Sequence, residues 1–475
     1  MPVVLLLSLV AAAAAATPAR ISHLRTEYLE EPLGVDVAAP RFSWDLALAD
    51  PADPASRGRA QAYYQVRVFA SDNSVAWDSG KVASKRTHLI VYAGNALNSE
   101  SRYHWNVQSW LDDGTAVAAA PAASFLTGLL DQAMWTPSEW ITGGNAAPLL
   151  RKEFHTSGSN RTSGAASRAT LYVAGIGYNE VYLNGKKLGD AKLGSGWTDQ
   201  AGGKRVAYST FDVTSLLAPA GSANALGVAL GNGWFSCGEA SAPTTQPGCV
   251  DSPPQLRLQL FVEGLVALST NASWKVSAGP ISYNSLYNGE HYDARVAEKL
   301  EGWTSAGFDD RAWAAAAAAS SVANKAKLSS ALFEPTRHLA RLPVRAVTSP
   351  APGVQVFDFG QNMAGVVSLT GLRCERGSNV TIRHAELLTH PPYGPRDGSI
   401  YVGNLRKAQA TDIYTCRGDD EGEDYVPTFT QHGFRYAEVS GYTGGLLEDD
   451  QVSNVFTRVF AKRPPLRIPP ATTHS

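Results

Sequence analysis

Residues 171–199 read LYVAGIGYNEVYLNGKKLGDAKLGSGWTD. Apolar and polar residues alternate from Leu171 to Leu183, Asn184-Gly185 follows, and the alternation resumes to Leu188. A period of two is what a strand with one buried face requires, and Asn-Gly tolerates the positive φ that both central positions of a type I′ turn demand. The stretch therefore predicts a β-hairpin, and the chain on either side continues in short strands.

Toward the N-terminus, residues 20–128 hold RFSW at 41–44, YYQVRVFA at 63–70, THLIVY at 87–92 and YHWNVQSW at 103–110. Alternation in the last of these places Tyr103, Trp105, Val107 and Ser109 on one face, the pattern of an immunoglobulin or fibronectin-type sandwich with Trp105 at its centre. A Trp-containing linker near 129–148 leads into a second β-region, 135–340, that includes YSTFDVTSLL, NALGVALGNGWF and QLRLQLFVE. The run Ala314–Ala319 predicts a flexible or helical link. A third region, 342–445, contains VQVFDFGQNMAGVVSLTG, NVTIRHAELL and FTQHGFRYAEVSGY, and a Pro-rich tail, 446–475, closes the chain. The fold class expected is all-β, in three successive β-sandwich or jelly-roll domains.

With 475 residues, of which 44% are apolar and 18% charged, the chain can bury several cores. A formal charge of −2, with no long basic run, gives no electrostatic reason to expect nucleic acid or an anionic membrane as a partner. The opening sixteen residues, MPVVLLLSLVAAAAAA, read as a signal peptide cut after Ala16, the alternative being a buried helix; no later apolar run approaches a membrane span. N-glycosylation sequons at Asn160, Asn271 and Asn379 fit a secreted, extracellular protein. Cys237 and Cys249 flank one Pro/Gly-containing loop, and Cys374 and Cys416 lie in neighbouring strand patterns. Disulfides within each pair are expected in an oxidising compartment, with buried free thiols as the alternative.

The hairpin wording resembles the jelly-roll module of bacterial-type α-L-rhamnosidases, glycoside hydrolase family 78. LRTEYLEEPLGVD at 24–36, PRFSW at 40–44 and WDSGKV at 77–82 resemble that family's opening immunoglobulin-like domain. SLYNGEHYDAR at 285–295 resembles a jelly-roll strand, and GWTSAGFDDRAW at 302–313 the strand that closes that module. The segments from 354 to 442 resemble its concanavalin-like sandwich. The resemblance implies an immunoglobulin/fibronectin-like domain, a galactose-binding-like jelly roll and a concanavalin-like sandwich. In that family, an α/α barrel carrying glutamates runs an inverting hydrolysis of terminal α-L-rhamnose. Such a barrel needs on the order of 200 residues. Only 475 − 442 = 33 follow Tyr442, so the expectation is the N-terminal β-domains without the catalytic barrel.

No catalytic residue is assigned. Glu290, Asp293, Asp358 and Glu386 are the carboxylates in the best-matched segments, and capping turns or lining sheet rims is their expected role. His384 and Glu386, one residue apart, are expected on one strand face, where a metal or proton relay competes with a hydrogen-bonded interface histidine. The same alternatives hold for His432, Arg435 and Tyr436 in QHGFRY, a segment expected to face a surface whose partner, the barrel, is absent. For saccharide binding, the aromatic, amide and acidic residues at loop ends are Tyr178, Asn184, Trp197, Asp199, Asn232 and Trp234; turn closure and core packing are their alternative roles. The resemblance also implies a calcium-assisted rhamnose site in some modules. Asn184 and Asn232 match positions that could supply oxygen ligands, although Leu183 stands where an acidic ligand would help. No cofactor is otherwise required. The partner implied is a rhamnose-containing glycoside or polysaccharide, bound either by a rhamnosidase-family member lacking its barrel or by a secreted carbohydrate-binding or adhesion module.

Overall fold

The computed structural model describes residues 19–48, 58–117, 120–144, 147–156, 168–200, 202–236, 250, 252–320, 322–392 and 398–458. Strands dominate, and the one α-helix among the described residues, α1 (Ala294–Lys299), is six residues long. The chain forms two compact units, 1–131 and 132–475.

In the first unit, β1 (Ala19–Thr26) and β2 (Arg41–Leu48) form one sheet with residues 90–91, while β3 (Gln61–Ala70), β4 (Arg102–Leu111) and β5 (Ala123–Leu126) build a second. The strict alternation of burial along β4 places Tyr103, Trp105, Val107, Ser109 and Leu111 inside. Trp105 packs 4.6 Å from Phe42, and its indole N–H donates to Thr26 Oγ1 at 3.1 Å. The immunoglobulin-like expectation is met.

The second unit opens with a jelly roll. One of its sheets contains β7 (Ala169–Ile176), β11 (Arg205–Asp212) and β13 (Gln255–Val262). The other contains β6 (Pro148–His155), β8 (Tyr178–Leu183), β9 (Lys186–Lys187) and β12 (Ala223–Gly231). Leu150, Leu171, Val173, Val181, Leu226, Val228, Leu258 and Trp274 fill the space between them. The Asn184-Gly185 turn has φ of 50° and 82°, and the hairpin it closes is β8–β9.

The expected strand Leu171–Leu183 is, however, two strands in opposite sheets. Gly177, at φ 91°, carries the chain from one sheet to the other. The polar side of the alternation before Gly177 is buried as well, because Tyr172 packs among Trp135, Tyr208 and Phe261.

The third sheet has eleven strands. It joins β16 (Thr336–Pro343), β17 (Val354–Leu372), β18 (Asn379–Ala385), β19 (Thr411–Thr415), β20 (His432–Ser440) and β21 (Val452–Arg458). It also recruits β10 (Ala191–Lys192), β14 (Ile281–Ser285) and β15 (Gly289–Asp293) from within the jelly-roll segment. β15 pairs parallel with β19, so SLYNGEHYDAR belongs to this sheet rather than to the jelly roll.

Three further expectations are corrected. The tail contributes β21, which pairs with both β16 and β17. The Ala run is neither flexible nor helical: Ala314–Ala315 pairs with 275–276, and Ala317–Ala318 with 141–142. Residues 302–313 form turns, because the buried Arg151 guanidinium takes the Trp303 and Ser305 carbonyls, each at 2.9 Å, and pairs with Asp310.

Candidate saccharide-binding face

Three turns converge beside Gly177. The first, 193–200, is tied to the crossover by side chains: Asn179 Nδ2 donates to Ser195 Oγ at 2.8 Å and Gly177 N to Gln200 Oε1 at 3.2 Å. With the backbone held on both flanks, Trp197 projects outward and is 70% exposed. The second turn follows β12. Asn232 is buried there, its backbone N–H donating to Asn284 Oδ1 at 2.8 Å and its Nδ2 to the Asn284 carbonyl at 2.9 Å. That double bond to β14 sets Trp234, whose ring centroid lies 5.3 Å from Trp197. The third turn joins β14 to β15. Ala410 N donates to the Tyr287 carbonyl at 3.0 Å, and buried Asn288 Nδ2 to Tyr283 Oη at 3.0 Å, so the half-exposed Tyr287 ring meets Trp234 edge-on at 5.6 Å. Phe333, exposed and seated against the Cα of Gly196, borders the group.

Of the predicted loop residues, the structure thus brings Trp197 and Trp234 together and adds Tyr287, which in the sequence lies inside a strand-like run but stands in the turn between β14 and β15. Its signal was the aromatic in SLYNGEH, directly before the Asn-Gly that closes a turn. Asn232 sits below this face, and its buried Oδ1 accepts no hydrogen bond.

The other candidates serve structure. Tyr178 is buried beside Phe429 and Ile281, and burial pushes its phenol well up. Asp199 Oδ1 accepts from Gly202 N at 3.0 Å and closes its own turn. Asn184 Nδ2 donates to Leu216 O and Asn224 Oδ1, while its Oδ1 accepts from Ala225 N. The register Tyr178↔Gly231 through Leu183↔Leu226 puts Asn184 and Asn232 at opposite ends of β8, seven residue steps or about 23 Å apart at 3.3 Å per residue. Calcium ligands lie 2.3–2.6 Å from the ion, so the implied Asn184–Asn232 pair cannot share one.

Each of the four carboxylates is also engaged. Asp293 caps α1 by accepting from Arg295 N at 3.0 Å, and the Arg295 guanidinium holds it low. Asp358 takes both Nε and Nη2 of Arg435 at 2.8 Å, which lowers it, and Arg435 also lies over the Tyr436 ring. Glu386 accepts from Asn362 and Asn404 amides. It does not share a face with His384, since β18 ends at Ala385 and the alternation breaks there, with His384 and Ala385 both buried.

Glu290 is fully buried, and that burial pushes it up to about 8, against the N–H groups of Phe429 and Thr428 and with the Asp412 charge adding to the rise. A raised acid beside an ionised Asp412 has the electrostatics of an acid–base pair. Both carboxyls are 0% exposed, which closes them to a sugar. His432 is likewise turned inward, its Nε2 3.1 Å from Asp412 Oδ1.

Cys374 and Cys416 form a disulfide linking the chain just past β17 to the chain just past β19. Cys237, Cys249, Asn160 and the opening sixteen residues lie outside the described residues. No helix among the described residues is long and apolar enough to cross a membrane.

Among the described residues, a sandwich, a jelly roll and a long third sheet make up an all-β, multidomain scaffold that presents this aromatic face. Comparison with known proteins specifies it. Three family models match in order: the Rha78A-like N-terminal immunoglobulin domain over 21–131, the alpha-L-rhamnosidase N-terminal domain over 164–339, and the bacterial alpha-L-rhamnosidase concanavalin-like domain over 348–458. The chain belongs to the α-L-rhamnosidase family through these N-terminal β-domains.

Among the relatives, the α-L-rhamnosidase of Streptomyces avermitilis is 30% identical over 90% of this chain and 56% of its own length. That of Alteromonas sp. is 33% identical over 86% and 44%. The solved α-L-rhamnosidase of Dictyoglumus thermophilum superposes with a TM-score of 0.80 at 33% identity, over 93% of this chain and 49% of that one. The S. avermitilis enzyme complexed with L-rhamnose gives 0.79 at 28% identity, over 93% and 57%. The chain spans about half the length of the curated relatives it matches.

Proposed function

We propose that this chain is the saccharide-holding β-scaffold of an α-L-rhamnosidase, a protein that releases terminal α-L-rhamnose from glycosides or polysaccharides. The pair of exposed Trp197 and partly buried Trp234, squared off by Tyr287, carries the reading. Rhamnose is a 6-deoxy sugar with an apolar methyl and a C–H face, which suits a fixed aromatic surface better than a fully hydroxylated ring does. The rhamnose complex of the S. avermitilis relative supports the choice of sugar. Since the four carboxylates of the matched segments are held in caps, ion pairs, amide bonds or the core, these β-domains contribute binding and support rather than acid and base.

The test is calorimetric titration of the purified chain with L-rhamnose and with a rhamnose-containing polysaccharide, alongside an aryl α-L-rhamnoside assay. Saturable binding without turnover is expected. Trp197→Ala should weaken it about tenfold, or about 1.4 kcal/mol, while leaving the melting temperature unchanged, because the ring it removes is mostly in solvent. Equal binding by wild type and Trp197→Ala would overturn the assignment of the face, and turnover would overturn the division between binding and catalysis.

We further propose an extracellular setting. The Cys374–Cys416 disulfide supports it, as does the exposure of the Asn379 sequon. Expression in a eukaryotic secretory host should give a band that glycosidase treatment shifts, and an unmodified Asn379 would count against it.

A further inference from the structure

The same buried face of three neighbouring strands carries His384 on β18, Asp412 on β19 and His432 on β20. Their donor atoms all lie within 4.8 Å of one another. His432 Nε2 is 3.1 and 3.2 Å from the two Asp412 oxygens, and His384 Nε2 is 3.8 Å from Asp412 Oδ2. The imidazoles stack with centroids 4.0 Å apart, both presenting Nε2 to one carboxylate.

His384 is the member that hydrogen bonding leaves unexplained. Its Nδ1 lies 2.9 Å from the Ala410 carbonyl, so that nitrogen bears the proton and donates it. The neutral ring therefore turns its Nε2 lone pair inward, where, wholly buried, it has no hydrogen-bond partner. A buried lone pair facing a carboxylate is unfavourable until a proton donor or a cation stands between them, and the protein supplies no such donor to His384 Nε2.

We propose that His384 Nε2, Asp412 and His432 Nε2 hold one divalent transition-metal ion of the zinc class. Metal–ligand bonds of about 2.0–2.2 Å at tetrahedral angles put neighbouring donors about 3.4 Å apart. The observed 3.1 to 3.8 Å brackets that value. Two imidazole nitrogens and one carboxylate select zinc, cobalt or nickel over the oxygen-seeking calcium and magnesium. The supporting shell that such sites use is already in place: the Ala410 carbonyl orients His384, and Glu290 N donates to Asp412 Oδ1 at 2.9 Å. The three ligands stand on adjacent strands, so the ion would pin β18, β19 and β20 together, with water completing its coordination.

The test uses the full purified chain, free of affinity tags. After chelator treatment and dialysis, Zn2+ is added back, with stoichiometry read by elemental analysis and stability by thermal melt; Co2+ is added to a second sample and read by its visible d–d absorption. The expected result is one tightly held ion per chain, a raised melting temperature, and a cobalt spectrum of low coordination number.

Asp412→Asn, which keeps the volume, and His384→Phe, which keeps the ring stack, should each weaken binding by more than the roughly 10–100-fold that follows loss of an outer-shell partner. A wild-type chain that melts cooperatively yet takes up no zinc and gives no cobalt spectrum would overturn the proposal. So would folded variants that bind as tightly as wild type, because the ion would then be held elsewhere.

Discussion

Gly177 is the residue on which the aromatic face depends. Its φ of 91° lies in the left-handed region that favours glycine, and a Cβ built there would meet the Gly231 carbonyl oxygen at 2.3 Å. Gly177→Ala should therefore cost about 2–4 kcal/mol, combining backbone strain with a backbone collision that no rotamer relieves. Urea unfolding measures this, and a loss below about 0.5 kcal/mol would show that the crossover tolerates a side chain. The same substitution should loosen the 193–200 turn, since Gly177 N is one of its anchors. Asn184-Gly185 was legible in the sequence because a dipeptide dictates its own turn. Gly177 was not, because a glycine inside an alternating run looks identical whether the strand continues or changes sheets. The face was half legible for a related reason: Trp197 and Trp234 stood out as aromatics at loop ends, but Tyr287 joins them only through the Asn288 and Ala410 contacts.

Between elements, the join of β8, β9 and β10 to β16 concentrates charge. Glu180 on β8 is buried and pairs with Lys187 and, at 3.4 Å, with Lys192; burial works to raise its carboxyl, but the two ammoniums outweigh that and hold it low. His338 on β16 is pushed down to about 4 by burial and then by the same two lysines. The unfolded chain takes up the His338 proton near 6.5 and the folded chain only near 4, so between those values the unfolded state binds more protons. Stability supplied by this neutral histidine is thus complete above pH 6.5 and is lost as the pH falls toward 4. Denaturant midpoints across that window should decline in the wild type. His338→Gln should flatten the decline by on the order of 1 kcal/mol, after discounting for partial exposure. Parallel wild-type and variant curves would show that His338 titrates alike in both states. No sequence pattern announces this join, because β10 and β16 meet across a long stretch of chain and the alternation within each says nothing about its neighbour.

At the scale of the molecule, the sequence separates a jelly roll from a following sandwich near residue 340, and the strand pairing does not respect that cut. The third sheet takes β10, β14 and β15 from inside the earlier segment, and β15 lies between β14 and β19. Glu290 on β15 binds the Thr428 and Phe429 N–H groups and donates its own N–H to Asp412, contacts that span 122 to 139 residues. Resemblance to family segments identified each strand; only long-range pairing could say which sheet received it. By contrast, among the described residues no sheet combines strands from 1–131 with strands from 132–475, and Phe42, Trp105 and Phe125 give the first unit its own core. Residues 132–475 produced alone should therefore fold and melt in one cooperative transition, with saccharide binding equal to that of the whole chain. Residues 342–475 should not fold, since without β14 and β15 the β19 edge and the Glu290-binding loop are left bare, and without β16 so is one side of β21. Amide spectra of the two fragments decide the matter: dispersed, protected resonances from 342–475 would restore the boundary near 340, whereas collapse of that fragment beside a folded 132–475 would establish the jelly roll and third sheet as one folding unit.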